Sequence, residues 1–324
     1  MNQQLQAILT PSLFYAWAKN TQLSIDFKSI TPLIEEGSEG KELLLLIEGS
    51  ADVSSEGRSG ETSAITQLEA PALFGEMSFL EGRVTVANVI GQAGSRWIRI
   101  PFSELNKEID KNADFAADFY NVLARKLALQ LQSQNSMVHR WEISDIEPLR
   151  KVLLIFAELI DLDIDWLLKH GKVINYQPGE EIIRQGEKLD KLWLVLEGDA
   201  DILLIKSEIS QKVGSSRRGE FLGEMSLLSE DNRAAASVIS HSKMQMLCIQ
   251  QQQIKFRMES DAKFSARFHR SLAMLLSHRC RDQLMRHGLA SRAAANEAIS
   301  FDTLENISQA GRRFDWLCRQ LATA

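Results

Sequence analysis

The stretch Gly219-Glu220-Phe221-Leu222-Gly223-Glu224-Met225-Ser226-Leu227-Leu228, then Ser229-Glu230-Asp231-Asn232, then Arg233-Ala234-Ala235-Ala236-Ser237-Val238, decides how this chain is read. A carboxylate follows a glycine, and an arginine stands nine positions after that carboxylate, heading a run of alanines. Glycine lets a backbone approach a ligand with no side chain in between. A short helical turn from Glu224 exposes unpaired N–H groups at its start, and these attract anions. Arg233 adds a planar, permanently charged fork for phosphate oxygens. The small residues Ala234 and Ala235 leave room for a ligand against the backbone. Glu224 is acceptor-only when ionised, so it suits a sugar hydroxyl and not a phosphate. A blander reading fits the same residues: Arg233 and Glu224 as a surface ion pair on a fold that binds nothing, since such pairs are common and weak.

The stretch has a partner earlier in the chain. Gly75-Glu76-Met77-Ser78 matches Gly223-Glu224-Met225-Ser226 at an offset of 148, inside a repeat whose general offset is 149. Trp17 pairs with Trp166, Glu48-Gly49 with Glu197-Gly198, Ala87-x-Val89 with Ala236-x-Val238, and Phe115, Phe119 and Leu123 with Phe264, Phe268 and Leu272. A domain-sized period means a tandem duplication and not a solenoid. The copies span about 10–135 and 159–284. The first copy has a loop one residue shorter, which places Val84 opposite Arg233 and Arg83 opposite Asn232. On an extended segment a one-residue displacement turns a side chain to the other face.

Together with Pro178-Gly179-Glu180-Glu181-Ile182-Ile183-Arg184-Gln185-Gly186-Glu187 and Leu192-Trp193-Leu194-Val195-Leu196-Glu197-Gly198, the stretch resembles the phosphate-binding cassette and early barrel strands of the cyclic-nucleotide-binding domain family. That family includes the effector domain of the catabolite activator protein and the regulatory subunits of cAMP-dependent protein kinase. The resemblance implies a mainly β fold with flanking helices: two tandem β-jelly-roll domains, each closed by C-terminal helices. It implies a ligand site at Gly223, Glu224, Met225, Ser226, Arg233, Ala234 and Ala235. Glu224 would meet the ribose 2′-hydroxyl, and Arg233 would meet the cyclic phosphate with the N–H groups of Ala234 and Ala235. A possible first-domain site is Gly75, Glu76, Met77, Ser78, Arg83 and Thr85. Asn232 stands where the family commonly has proline. Ala234 follows the arginine where a hydroxyl often accompanies cGMP, so cAMP is expected ahead of cGMP.

Composition is that of an ordinary soluble globular protein. The 324 residues allow roughly two domains. Apolar content of 44% and charged content of 25% are ordinary for globular chains. A net charge of −6 argues against general nucleic-acid binding. Cys248, Cys280 and Cys318 are odd in number and not spaced as metal ligands, so inert thiols in a reducing compartment are expected. The start of the chain lacks a basic segment followed by an apolar one, and no apolar run is long enough to cross a bilayer, so a cytoplasmic location is expected. No nucleophile–base order, P-loop or metal signature stands out, and neither an enzyme nor a metal is expected.

Along the chain, Leu43–Ile47 and Leu192–Leu196 read as continuous apolar strands closed by Glu-Gly turns. The polar stretches Ser54–Glu61 and Lys206–Gly219 read as loops. Phe115, Phe119, Leu123 and Leu127, like Phe264, Phe268, Leu272 and Leu276, define an amphipathic helix closing each copy. The basic residues Lys263, Arg267, Arg270, Arg279, Arg281 and Arg286 read as a solvated face. The expected division is a first domain at 1–135, a helical linker at 136–158, a second domain at 159–287 and a tail of two short helices at 288–324. The expected partners are a cyclic nucleotide and either an unidentified protein or a second copy of the chain. Two alternatives stay open: a docking protein built on degenerate barrels, and a DNA-binding regulator of the catabolite-activator type. The latter needs a basic helix-turn-helix, which the tail does not display.

Overall fold

The computed structural model describes residues 2–21, 23–57, 59–136, 155–206, 209–295 and 301–322. The chain forms two compact units, Met1–Ser144 with Leu276–Ala298, and Asp145–Leu275 with Ile299–Ala324. This partition divides the helix Ala262–Arg286 and assigns its last turns to the first unit. The helical linker expected at 136–158 lies mostly outside the described residues.

Each unit is a jelly roll of two four-stranded antiparallel sheets. In the first, Ser24–Phe27, Ser95–Pro101, Glu42–Glu48 and Ala72–Phe74 form one sheet in that order; Thr31–Ile34, Asn88–Gly91, Ser50–Glu56 and Thr62–Glu69 form the other. In the second unit the orders are Phe221–Leu222, Lys191–Glu197, Met244–Gln250, Lys172–Tyr176, and Glu181–Ile183, Ser237–Ser240, Asp199–Lys206, Ile209–Arg217. The Leu43–Leu46 run has no alternation because it is buried throughout, as a central strand covered on both faces must be. Trp193, Val195, Leu222, Val238 and Met246 build the equivalent core in the second barrel.

Two expectations about local structure are corrected. Of the two polar stretches read as loops, Lys206–Gly219 is largely strand: Ile209–Arg217 pairs with Asp199–Lys206 over a long antiparallel ladder. That strand is half-exposed, so its sequence lacks an apolar stripe, and ladder hydrogen bonds hold it instead. Ser54–Glu61 is strand only as far as Glu56 and then turns, with the Gly57 N–H donating to the Glu61 carbonyl at 2.8 Å. The second tail helix is not short: it runs over Phe301–Ala322 for 22 residues. Phe314 and Leu317, one turn apart, are buried, and the Phe314 ring packs on Phe156 at 4.9 Å.

The helices before and after each barrel pack together. In the first unit Ser12 caps Leu13–Asn20 by accepting from the Tyr15 N–H at 3.0 Å. Phe14 packs on Phe119 of Ala113–Ser136 at 5.0 Å, and the Asp118 carboxylate accepts from the Phe14 N–H. In the second unit Asp163, on Asp161–His170, is fully buried. It accepts from Arg257 at 2.9 Å and from Arg267 at 2.7 and 3.0 Å. Arg257 also lies over the rings of Trp166 and Phe264. The basic face expected to be solvated is therefore partly committed: Arg267 binds Asp163, and Arg270 meets Glu158 at 3.3 Å. Charge in the sequence did not reveal this, because the partners come from a distant helix.

Candidate functional site

In the second unit the strand Phe221–Leu222 delivers the chain to Gly223, whose φ is 85°. That left-handed conformation favours glycine, and a Cβ there would be crowded, 3.1 Å from the Lys191 carbonyl oxygen and 3.3 Å from the Trp193 ring. One helical turn, Glu224–Leu228, comes next. Ser226 Oγ donates to the Gly223 carbonyl at 2.9 Å and accepts from Gln251 Nε2 at 2.8 Å. Gln251 Nε2 also reaches the Lys191 carbonyl at 3.1 Å. This fixes the turn against the strand and against the helix Gln251–Ser260. Glu224 is 3% exposed.

The loop after the turn is built on Asp231. Its Oδ1 accepts from Ser229 Oγ at 3.0 Å and from the Arg233 N–H at 3.2 Å. Donation from that N–H holds the Asp231 carboxyl below its ordinary range, helped by the Ser229 hydroxyl. Asn232 adopts a φ of 51°, a left-handed conformation that asparagine tolerates and proline cannot. The departure from the family's proline thus has a backbone consequence. Lys255 Nζ donates to Asn232 Oδ1 at 2.9 Å.

The Arg233 side chain is 54% exposed. Its Nη1 donates to the Gly186 carbonyl at 2.6 Å, and its Nε stands 3.9 Å from Asp231 Oδ2. The Ala234 N–H donates to the Glu187 carbonyl at 2.9 Å, and the Ala234 carbonyl accepts from the Gly186 N–H. The Ala234 side chain lies in the barrel core.

The first unit repeats the glycine-led turn and replaces the loop beyond it. Gly75 has a φ of 87°, and a Cβ there would stand 2.6 Å from the Glu42 carbonyl oxygen. The turn Glu76–Glu81 buries Glu76, Met77 and Ser78. Glu76 is ion-paired with Lys126 of Ala113–Ser136, and both side chains are buried. Lys126 Nζ also donates to Gln130 Oε1 at 3.2 Å. Thr85 donates to the Glu35 carbonyl at 2.5 Å and accepts from the Ser38 N–H at 3.2 Å, so its hydroxyl pins a neighbouring turn.

Arg83 is turned to Glu81, with Nη1 3.5 Å from Oε2. Glu81 is fully buried and accepts from Arg281 Nε at 2.6 Å and from the Ser277 hydroxyl. Burial pushes its carboxyl up, but His278, Arg281, Arg83 and the Ser277 hydroxyl outweigh that and hold it below the carboxylate range. Arg281 Nη2 donates to the carbonyl of Val84, the residue that stands where the second copy has arginine. Of the six candidate residues of the first copy, Gly75, Glu76, Met77, Ser78 and Thr85 line one cavity of about 130 Å³. Arg83 is not part of its wall.

Sequence reasoning missed Lys126, Glu81 and Arg281. Lys126 carried a signal: it lies seven residues after Phe119 and three after Leu123, on the buried stripe of its own helix. Glu81 and Arg281 are 200 residues apart and carried none.

Comparison with known proteins agrees with this architecture. The family model described as "Cyclic nucleotide-binding domain" matches residues 25–112 and 173–261, together more than half of the chain. The cAMP-dependent protein kinase regulatory subunit of Mucor circinelloides f. lusitanicus is 21% identical over 215 residues, covering 66% of this chain and 43% of that protein. The cAMP-activated global transcriptional regulator CRP of Salmonella typhimurium is 29% identical over 79 residues, covering 24% of this chain and 38% of that protein. The chain thus spans well under two thirds of the length of these relatives. A solved structure of the regulatory domain of Toxoplasma gondii PKA with cAMP aligns over 80% of this chain and 92% of that one, at 21% identity and a TM-score of 0.30. With two matched segments, each on its own eight-stranded barrel, the chain belongs to the cyclic nucleotide-binding domain family and carries that domain twice.

Proposed function

We propose that the chain is a cyclic-nucleotide receptor whose second unit takes cAMP, ahead of cGMP, and whose output is a changed interface with a protein partner or a second copy of itself. The observation that carries this is the pairing, on one cassette, of a buried Glu224 with a half-exposed Arg233. Arg233 contacts the Gly186 carbonyl through one of the five N–H donors of a guanidinium. A phosphate offers that fork a bidentate, charge-assisted partner, which is stronger than a neutral carbonyl. In this reading Glu224 accepts from a ribose hydroxyl, as an ionised carboxylate can. The ligand shifts the receptor only if two arrangements of the cassette bind it unequally. Arg233 leaving Gly186 for the phosphate supplies such a difference, and the helix carrying Phe264 would close over the base. The relatives are named as kinase regulatory subunits and a transcription regulator. The receptor proposed here performs no catalysis. Among the described residues no helix is long and apolar enough to cross a membrane, and no cluster of side chains suits a metal ion.

Isothermal titration calorimetry with cAMP and cGMP, on the wild type and on Arg233→Ala, tests the reading. The expected result is saturable binding, tighter for cAMP, weakened by two or more orders of magnitude in Arg233→Ala. Unchanged affinity in the variant would remove the site. No binding of either nucleotide by the wild type would leave the docking-protein reading in its place.

A further inference from the structure

The cavity of the first barrel asks for a different ligand. It holds about 130 Å³, close to the roughly 150 Å³ of a cavity known to admit a single benzene ring. Most of its wall is apolar, including Ile34, Val53, Leu68, Phe74 and Leu129. The charged residues lining it are Glu76 and Lys126, and they are paired with each other. The wall therefore carries no net charge. A cyclic phosphate would enter as an anion with no matching cation, and an uncompensated buried charge costs several kcal/mol. Arg83, the remaining candidate for that role, contacts Glu81 and lies outside the wall.

One lining group points to what does fit. Gln134 is 7% exposed, and its Oε1 is a buried acceptor with no hydrogen-bond partner among the described residues. Buried acceptors left unsatisfied are unfavourable, and a ligand N–H or O–H relieves that penalty. We infer that the first barrel binds a neutral, one- or two-ring apolar molecule carrying a hydrogen-bond donor, which it directs to Gln134 Oε1. The duplicated cassettes would then read two chemistries, an anionic nucleotide in one and an uncharged ring compound in the other. This site does not depend on whether the second unit takes cAMP.

Indole is the probe, because it is bicyclic, uncharged and carries one N–H; 1-methylindole has a similar shape and no donor. Calorimetry on the full chain bearing Arg233→Ala, which disables the proposed nucleotide site, keeps the two readings apart. The expected result is saturable binding of indole at one site and about three- to tenfold weaker binding of 1-methylindole, the ratio set by one hydrogen bond. Gln134→Leu is expected to bind both compounds equally. The comparison of the two compounds stands on the unmodified cavity, so it holds even where Gln134→Leu fails to fold. Absence of saturable indole binding, equal affinity for both compounds with Gln134 intact, or displacement of indole by cAMP would each overturn the inference.

Discussion

The two repeats share the start of the cassette and differ in where they place a cation. Gly75-Glu76-Met77-Ser78 and Gly223-Glu224-Met225-Ser226 each begin with a left-handed glycine at the end of a short strand. In the first repeat Lys126 meets Glu76; at the general offset of 149 the second repeat has Leu275 in that place. The second repeat puts a cation after its turn, at Arg233, where the first has Val84. A second exchange lies on the helices. Phe14 and Asp118 of the first repeat correspond by the same offset to Asp163 and Arg267 of the second. In one copy a carboxylate on the later helix accepts from a backbone amide; in the other a carboxylate on the earlier helix accepts from two guanidinium groups. A duplicated fold thus keeps its backbone geometry while its buried charges move between elements, and the site changes with them.

The largest effect should come from the second repeat's buried carboxylate. Asp163→Ala strands two guanidinium groups, and guanidinium-induced unfolding should show a loss of about 3–5 kcal/mol. A loss below about 1 kcal/mol would mean the two repeats hold their helices by packing alone. Next is the first repeat's own pair. Lys126→Met leaves Glu76 buried and unmatched and should cost about 3 kcal/mol, whereas Lys126→Met with Glu76→Gln should recover most of it. Equal losses in the single and double variants would deny that charge balance separates the copies.

Acid should act on the first unit through His278. Burial lowers its pKa, with Arg83 and Arg281 adding to burial and Glu81 and Asp282 opposing it. The unfolded chain then binds a proton that the folded one refuses, so stability falls as pH drops below about 6.5. The slope is bounded at about 1.4 kcal/mol per pH unit, and His278→Gln should remove it from a denaturation series between about pH 7.5 and 5.5. A smaller contrast lies at the helix starts, where Ser12 caps through its hydroxyl and the corresponding cap of the second unit is Ile160. Ser12→Ala should cost about 1 kcal/mol in thermal unfolding. Smallest is Arg233→Ala without nucleotide: a half-exposed side chain on a carbonyl should change stability by less than about 0.5 kcal/mol. A larger loss would make Arg233 a structural residue and not one held for a ligand.

How much could be read in advance depends on how local the physics is. The central strands announced themselves as unbroken apolar runs, and the helices closing each barrel through Phe115, Phe119, Leu123 and Leu127 and their counterparts. The glycine before each cassette glutamate was legible because the conformation it adopts excludes side chains. The strand Ile209–Arg217 was not, since a half-exposed ladder leaves a polar sequence that resembles a loop. Arg267 and Arg281 looked like solvated charges until the fold brought Asp163 and Glu81 to them.

The Asp163 clamp has a consequence for how the second unit opens. It ties Asp161–His170 to Gln251–Ser260 through Arg257 and to the start of Ala262–Arg286 through Arg267. Peeling away any one of the three uncovers a buried charge on another, so partial opening costs nearly as much as full opening. The amide hydrogens of these helices should therefore exchange with deuterium at a common rate, as one cooperative block, while the exposed hairpin ending at Ile205 and Ile209 exchanges first.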